Sequence, residues 1–352
     1  MALGLCGGRK EMPSGPPNRE RSRSGGITLG TYALRRSLEA IPLLLVISLI
    51  IYFILSKAPG GVLGPYLANP HITPADLIRL KHNLGADQPF IVQYVRWLGK
   101  VLTGDFGYST SNAEPVLQAI WERFPATLEL TTTAFLLAVI VGVGAGIFSS
   151  LRPYSFADYF ITTFAFFGQS MPVFWFALMM QLLFSVHGIP LPFGYQIKLP
   201  SSGLGEGDSF NLGSRISHLI LPAIVLGLLQ LATFSRFARS SMLEVLKTDY
   251  MRTALAKGLD FRTVLLKHGL KNAVVPLVTV AALSLPGLVS GAVVTETIFA
   301  WPGMGRLFFN GLQQQDVSLM MGYLCMVAFL VVFMNLFADL AYAWLDPRVR
   351  YD

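Results

Sequence analysis

The chain has 352 residues, of which 53% are apolar and only 13% charged, and its formal net charge is +7. Soluble domains carry about 25% charged residues, so this composition excludes a soluble globular enzyme, a disordered chain, a collagen and a disulfide-stapled secreted domain. A multi-span membrane protein remains, and the abundance of Gly, Phe and Pro agrees with it, because membrane helices tolerate Gly and Pro.

Residues 1–30 are rich in Gly, Pro, Ser and Arg and read as a disordered basic tail, with Met12 as an alternative start. A bilayer hydrocarbon core of about 30 Å is crossed by about 20 apolar residues in a helix. Six runs meet that requirement: residues 38–56, 126–149, 157–186, 219–237, 273–298 and 318–345. The first, with its lead-in, occupies 31–57. Ser56-Lys57-Ala58 has the small-x-small form of a cleavage site, but the apolar run exceeds the roughly 7–15 residues of a signal peptide, so it reads as an uncleaved span. Residues 58–125 form a long outer loop. Within it, residues 74–84 are expected as a short helix capped by Thr73, Gly104-Asp105-Phe106-Gly107-Tyr108-Ser109 as a turn, and 114–124 as an interfacial helix. Residues 126–345 would be a five-helix core. The third run carries Pro172, which predicts a kink within one span. In the second, Gly142, Gly144 and Gly146 imitate a dinucleotide fingerprint by letter, yet inside an apolar span they read as helix-packing residues. The outer loop at 188–217 is expected to order only against a partner. Together the outer loops exceed what simple connections need, which favours an external docking face.

Charge orients the chain. An even number of spans puts both termini on one side, and eighteen of the 27 Lys and Arg fall there, including eight between Arg236 and Lys271. The positive-inside rule places both termini in the cytoplasm. The basic character is therefore topological, and no basic domain outside the membrane points to nucleic acid.

Several chemistries lack their residues. There is no G-x-x-x-x-G-K-[ST] phosphate loop and no H-E-x-x-H, and the five histidines are scattered. Cys6 and Cys325 draw no disulfide or metal framework. Ser170 and Ser284 lie in spans, but the acids inside spans (Glu129, Glu296 and Asp339) each sit near an end, so no intramembrane hydrolase is drawn. Glu296 is costly at membrane depth and is a functional candidate, as a gate or loop anchor. Pro286-Gly287 and Ser290-Gly291 in the fifth run allow either bending or close helix packing. Asp339 is expected to pair with a basic residue of the cytoplasmic segment.

That segment, 240–272, is the most informative. Leu243, Leu246, Tyr250 and Ala254 keep helical spacing, and Gly258 can end the helix as a left-handed cap. A second basic helix is expected over 261–270. On the residues alone, the first helix is either a plug for another protein's cleft or an amphipathic surface helix.

Asp249-Tyr250-Met251-Arg252-Thr253-Ala254-Leu255-Ala256-Lys257-Gly258-Leu259 resembles the cytoplasmic loop of permease subunits from binding-protein-dependent ABC importers, in particular the dipeptide/oligopeptide/nickel branch. Three further stretches resemble the same branch in order: Gly104 to Ser109, Thr295-Glu296-Thr297-Ile298-Phe299-Ala300-Trp301-Pro302-Gly303-Met304-Gly305, and Leu345-Asp346-Pro347-Arg348-Val349-Arg350-Tyr351. The long first outer loop is similar to that of the first permease of such pairs. Two departures from the wider family stand out. Arg252-Thr253-Ala254 occupy its Glu-Ala-Ala places, and Pro276 follows Gly258 by 18 residues where the family's Leu-Pro comes sooner.

The resemblance implies an all-α type I ABC importer permease with six transmembrane helices, resident in a bacterial or archaeal inner membrane. It implies a second homologous permease, two ATPase subunits that bind ATP and Mg, and an external solute-binding protein as partners, with membrane lipid around them. No catalytic residue, cofactor or metal is implied for this chain. Arg252, Thr253, Ala254, Ala256, Lys257 and Gly258 would form the coupling helix. Pro286, Gly287, Ser290, Gly291 and Glu296 are pore or gate candidates, and Phe299, Pro302, Gly303 and Gly305 carry the outer signature. Peptides are the expected cargo. Nickel or its chelates and oligosaccharides are alternatives, and a stand-alone channel or secondary transporter is the rival of another class.

Overall fold

In the computed structural model, residues 29–58, 73–83, 85–190, 192, 195–205, 211–290 and 292–345 are described. The basic tail over 1–28, the stretch 59–72, Gly291 and the closing motif over 346–352 lie outside the described residues.

Four of the six apolar runs each lie within a single helix, and two of those helices are much longer than a membrane needs. Helix α1 spans Leu29–Ser56. Two short helices follow, α2 (Pro74–Asn83) and α3 (Phe90–Leu102). The Thr73 hydroxyl accepts from the Asp76 N–H and donates to the Asp76 carboxylate, which fixes the start of α2 as expected. No element was expected at α3. It buries Tyr94 and Trp97 against Tyr52 of α1 and Met320 and Met321 of the last helix. Its aromatic spacing, Phe90, Tyr94, Trp97, is the helical signal that the loop's mixed composition hides. A two-stranded hairpin, β1 (Tyr108–Ser109) with β2 (Glu114–Pro115), closes the Gly104 to Ser109 turn.

Helix α4 runs Val116–Leu151 for 36 residues, fusing the expected interfacial helix with the second span. Pro125 lies inside it. Proline keeps a helical φ and removes one donor, and burial of Ile120 and Leu130 on either side carries the helix through. At about 1.5 Å per residue α4 is about 54 Å long, well beyond a core of about 30 Å.

The third run is two helices, α5 (Phe156–Ser170) and α6 (Val173–Gln181), the latter extended by a π turn over Leu182–His187. They meet at 106°, a turn far sharper than a kink within one span. Met171 is the cause: it precedes Pro172 and is extended (φ −78, ψ 138), as residues before proline are driven to be. The following loop, expected to order only on a partner, orders in part on its own chain. Strands β3 (Ile189–Pro190) and β4 (Gln196–Ile197) pair, and the Leu199 N–H donates to the Phe184 carbonyl at 3.0 Å.

Helix α7, Leu212–Leu246, absorbs the fourth span and the first part of the expected cytoplasmic helix. That helix breaks at Lys247-Thr248, where Thr248 is extended (ψ 151), and α8 begins at Asp249 and ends at Ala256. Next come α9 (Phe261–Val264), a π turn over Leu265–Leu270, α10 (Lys271–Ser284) and α11 (Pro286–Val289). The fifth apolar stretch therefore covers Phe261–Val289 rather than 273–298. Beyond a break, α12 (Val293–Ile298) is a separate short helix, followed by α13 (Met304–Gln313) and α14 (Val317–Leu345).

The principal helix pair is α4 against α7. Its closeness depends on missing side chains. A Cβ on Gly142 would lie 2.8 Å from the Leu231 carbonyl oxygen, and one on Gly146 would strike the Ser235 carbonyl. From the other helix, a Cβ on Gly227 would lie 2.8 Å from the Ala134 carbonyl. Gly144 faces open space. Small residues at a membrane helix interface let backbones approach in this way. Two ion pairs clamp the ends of α7. Arg215 makes a bidentate contact to Glu129 of α4, with Nε 2.8 Å from Oε1 and Nη2 2.5 Å from Oε2. Arg239 makes another to Asp158 of α5, at 2.8 and 2.7 Å. The two arginines are about 36 Å apart along the helix, a spacing slightly greater than a bilayer core of about 30 Å.

Gly146→Ala should therefore destabilise the detergent-purified protein by about 1–3 kcal/mol through overpacking, while Gly144→Ala should leave it unchanged or slightly more stable. Thermal denaturation followed by size-exclusion chromatography checks the contrast.

Candidate functional site

At the Arg215 end of the bundle the structure gathers the outer signature around one buried carboxylate. Glu296 of α12 has no exposed surface. Its Oε1 accepts from the Thr127 hydroxyl of α4 at 2.9 Å, and its Oε2 accepts from the Arg306 N–H of α13 at 3.0 Å. Thr127 also accepts from the Met304 N–H at 2.8 Å, so one hydroxyl joins the carboxylate to the first turn of α13. A buried carboxylate demands such donors. Gly303 leaves the room for it: a Cβ there would overlap the Glu296 carboxyl group. At Gly305 a Cβ would lie 2.8 Å from Val293 Cα. Ahead of both glycines the chain turns tightly, with Ala300 at φ 48. Trp301 is fully buried and donates from Nε1 to the Ala126 carbonyl at 2.8 Å. Phe299 packs among Ala177, Met180, Leu221 and Val225, and its carbonyl accepts from the Gly203 N–H at 2.9 Å. Pro302 sits half-buried between Trp301 and Gly303.

Of the pore candidates, Glu296 thus lies with the signature, on a different helix from Pro286 and Gly287. Pro286 and Gly287 are on α11, and Gly287 is exposed with open space beside it. The Ser290 carbonyl accepts from the Tyr323 hydroxyl of α14 at 3.1 Å, and the Leu288 carbonyl accepts from the Thr131 hydroxyl of α4 at 2.8 Å. Gly291 lies outside the described residues.

The opposite end carries α8. Arg252, Thr253, Ala256 and Lys257 are exposed, Ala254 is half-buried, and Gly258 follows the helix at φ +80 with open space where a Cβ would sit. On the inner side Met251 is buried against Gly269 of the π turn, where any Cβ would lie 3.4 Å from its Cε. Asn272 donates to the Tyr250 hydroxyl at 3.2 Å. The helix is therefore seated on α10 through one face and presents the other. Asp339, expected to reach this segment, instead pairs with Arg36 of α1 at 3.5 Å.

Sequence reasoning missed three partners. Thr127 looks like any threonine in an apolar span. Asp158 and Arg239 sit on different helices; besides the arginine, the aspartate accepts from the Ser149 hydroxyl and the Tyr154 N–H. Asp316 is buried and accepts from the Ser109 hydroxyl, 207 positions away, at 2.8 Å and from the Ser111 N–H at 3.0 Å. That carboxylate ties the Gly104 to Ser109 turn to the start of α14. Among the described residues, no group of three or more His, Cys, Asp or Glu stands together as metal ligands.

Thr127→Val should strip both the Glu296 carboxylate and the Met304 N–H of a partner and destabilise the protein by about 1–3 kcal/mol. Thr127→Ser should restore most of it. Melting midpoints of the two variants in detergent give the comparison.

Comparison with known proteins places this geometry. The family described as "Binding-protein-dependent transport system inner membrane component" matches residues 138–351, and its N-terminal companion matches 30–131. The oligopeptide transport system permease protein AppB of Bacillus subtilis is 40% identical over 325 residues, covering 92% of this chain and 100% of that protein. The dipeptide transport system permease protein DppB of Escherichia coli K12 is 36% identical over 334 residues, covering 91% and 98%. A structure of the MetNI methionine ABC transporter in inward-facing conformations aligns with a TM-score of 0.47 at 16% identity, over 65% of this chain and 97% of that one. This multi-pass membrane chain therefore belongs to the binding-protein-dependent transport system inner membrane component family.

Proposed function

We propose that this chain is one of two permease subunits of an ATP-driven importer that takes peptides from an external solute-binding protein into the cytoplasm. Two ATPase subunits, binding ATP and Mg, drive it. The carrying observation is α8: a short helix, cut from α7 by an extended Thr248 and from α9 by a left-handed Gly258, seated on one face and open on the other. Such a rigid body converts a push from a partner into displacement of the elements it sits on. Its basic surroundings support a cytoplasmic position by the positive-inside rule. Peptide cargo is supported by the full-length relatives, which are named as oligopeptide and dipeptide permeases.

Contacts between α8 and the long helices would carry this force. Met251 joins α8 to the π turn and Tyr250 joins it to α10, and the Asp158–Arg239 clamp joins the neighbouring end of α7 to α5. At the far end Glu296 binds α12 and α13 to α4. Displacement of α8 would move long helices as units, because packed cores switch between arrangements rather than deform continuously.

Cells lacking this chain should lose uptake of a labelled di- and oligopeptide pool and keep uptake of radiolabelled nickel. Loss of nickel uptake alone would transfer the same machinery to a metal cargo and overturn the peptide assignment. In the purified importer, Ala254→Trp and Ala256→Trp should abolish transport and peptide-stimulated ATP hydrolysis while the subunits still co-purify. Unchanged transport and hydrolysis in both variants would remove α8 from the coupling role.

A further inference from the structure

Between α5 and α7, at the end that carries α8, lies a cavity of about 660 Å³. Two helical stripes face across it. On α7 the stripe carries Arg236, Arg239 and Glu244 among the apolar Ala232 and Leu243, with Lys247 just past the helix end; on α5 it includes Phe166 and Gln169. This spacing puts one side of each helix on the cavity. The other side of α7 is occupied by the glycine-mediated contact with α4.

The charges are unevenly engaged. Arg239 is held by Asp158. Arg236 is not: its Cζ lies 5.8 Å from the Phe166 ring centroid, a cation–π contact that leaves its hydrogen-bond donors unused. Among the described residues no acceptor is recorded for the Arg236 guanidinium, nor a side-chain partner for Gln169, Ser240, Glu244 or Lys247. The cavity therefore presents an exposed guanidinium and an exposed carboxylate without protein partners among the described residues, with the Lys247 ammonium one turn beyond Glu244. Arg236 and Glu244 are eight residues, about 12 Å, apart along α7. An extended peptide spans at most about 3.3–3.6 Å per residue, so three or four residues reach from one charge to the other.

We infer that this cavity is a substrate site for short peptides on their way through the permease, with the C-terminal carboxylate at Arg236 and the N-terminal ammonium at Glu244. This rests on the peptide-import reading above. A guanidinium is suited to carboxylate recognition because its planar fork matches both oxygens. A zwitterion of the right length engages both signs, whereas the phosphate of an anionic lipid would engage the cations Arg236 and Lys247 and leave Glu244 without a partner. The chain thus contributes selectivity of its own, after the solute-binding protein has released its cargo.

The test is equilibrium binding of radiolabelled tri-alanine to the purified, assembled importer without its binding protein. Wild type should bind tri-alanine and bind its C-terminal amide about tenfold or more weakly, the loss expected for one charge-assisted hydrogen-bonded contact. Arg236→Gln should weaken tri-alanine by a similar factor and bind acid and amide alike; Arg236→Lys should keep part of the preference. Glu244→Gln should weaken tri-alanine but not its N-acetyl form, and it carries the test if Arg236→Gln fails to assemble. Equal binding of acid and amide by wild type, or unchanged discrimination in the assembled Arg236→Gln importer, overturns the site. So does loss of co-purifying phospholipid from that variant with peptide binding intact, which would mark a lipid seat. Peptide uptake in cells separates the two levels: if uptake depends on the chain, such failures remove only the site, whereas absent uptake removes the peptide reading itself.

Discussion

A carboxylate with no exposed surface must find donors or be expelled, and Glu296 finds them on two other elements. Thr127 supplies a hydroxyl from α4 and Arg306 a backbone N–H from α13. This single requirement explains much of the surrounding chain. Gly303 is needed because a methyl group would occupy the carboxylate's place, and Gly305 because α13 starts against the backbone of α12. The tight turn through Ala300 delivers Trp301 to the Ala126 carbonyl beside Thr127. A stretch that reads as a connecting loop is therefore a keystone: it pins α12 and α13 to α4, and α4 is the helix on which α7 packs.

The α4–α7 pair then spans the distance between the two ends. Backbone contact through Gly142, Gly146 and Gly227 makes the pair a stiff unit; Glu129–Arg215 joins α4 to α7 at one end, and Asp158–Arg239 joins α5 to α7 at the other. A transporter needs stiff levers joined at places that can change, and the changes of direction here fall where the backbone is already interrupted. These are the 106° turn before Pro172, the extended Thr248, and the break between α11 and α12.

Membrane class, six apolar runs and the family resemblance were legible because they are local. They depend on run length, on charge placement, and on contiguous motifs such as Asp249 to Leu259. Helix ends were less legible. Pro125 does not stop α4, because buried residues on both sides hold the helix together, and Pro172 does far more than bend its run, because it forces Met171 out of the helical region. The site partners were not legible at all. Nothing near Ser109 announces Asp316, and nothing near Glu296 announces Thr127, since those contacts join positions far apart in sequence. Helix α3 falls between these cases: its aromatic spacing was present but sat in a loop of mixed composition.

The central claim is that α8 is the surface on which an ATPase acts. Cross-linking tests it most directly, with a single cysteine at Ala256 and, for comparison, one at Gln313 at the end of α13, in membranes containing the whole importer. The account predicts a covalent adduct between the ATPase and the Ala256→Cys chain whose yield changes with ATP, and none from Gln313→Cys. An adduct from Gln313→Cys, with none from Ala256→Cys, would contradict it.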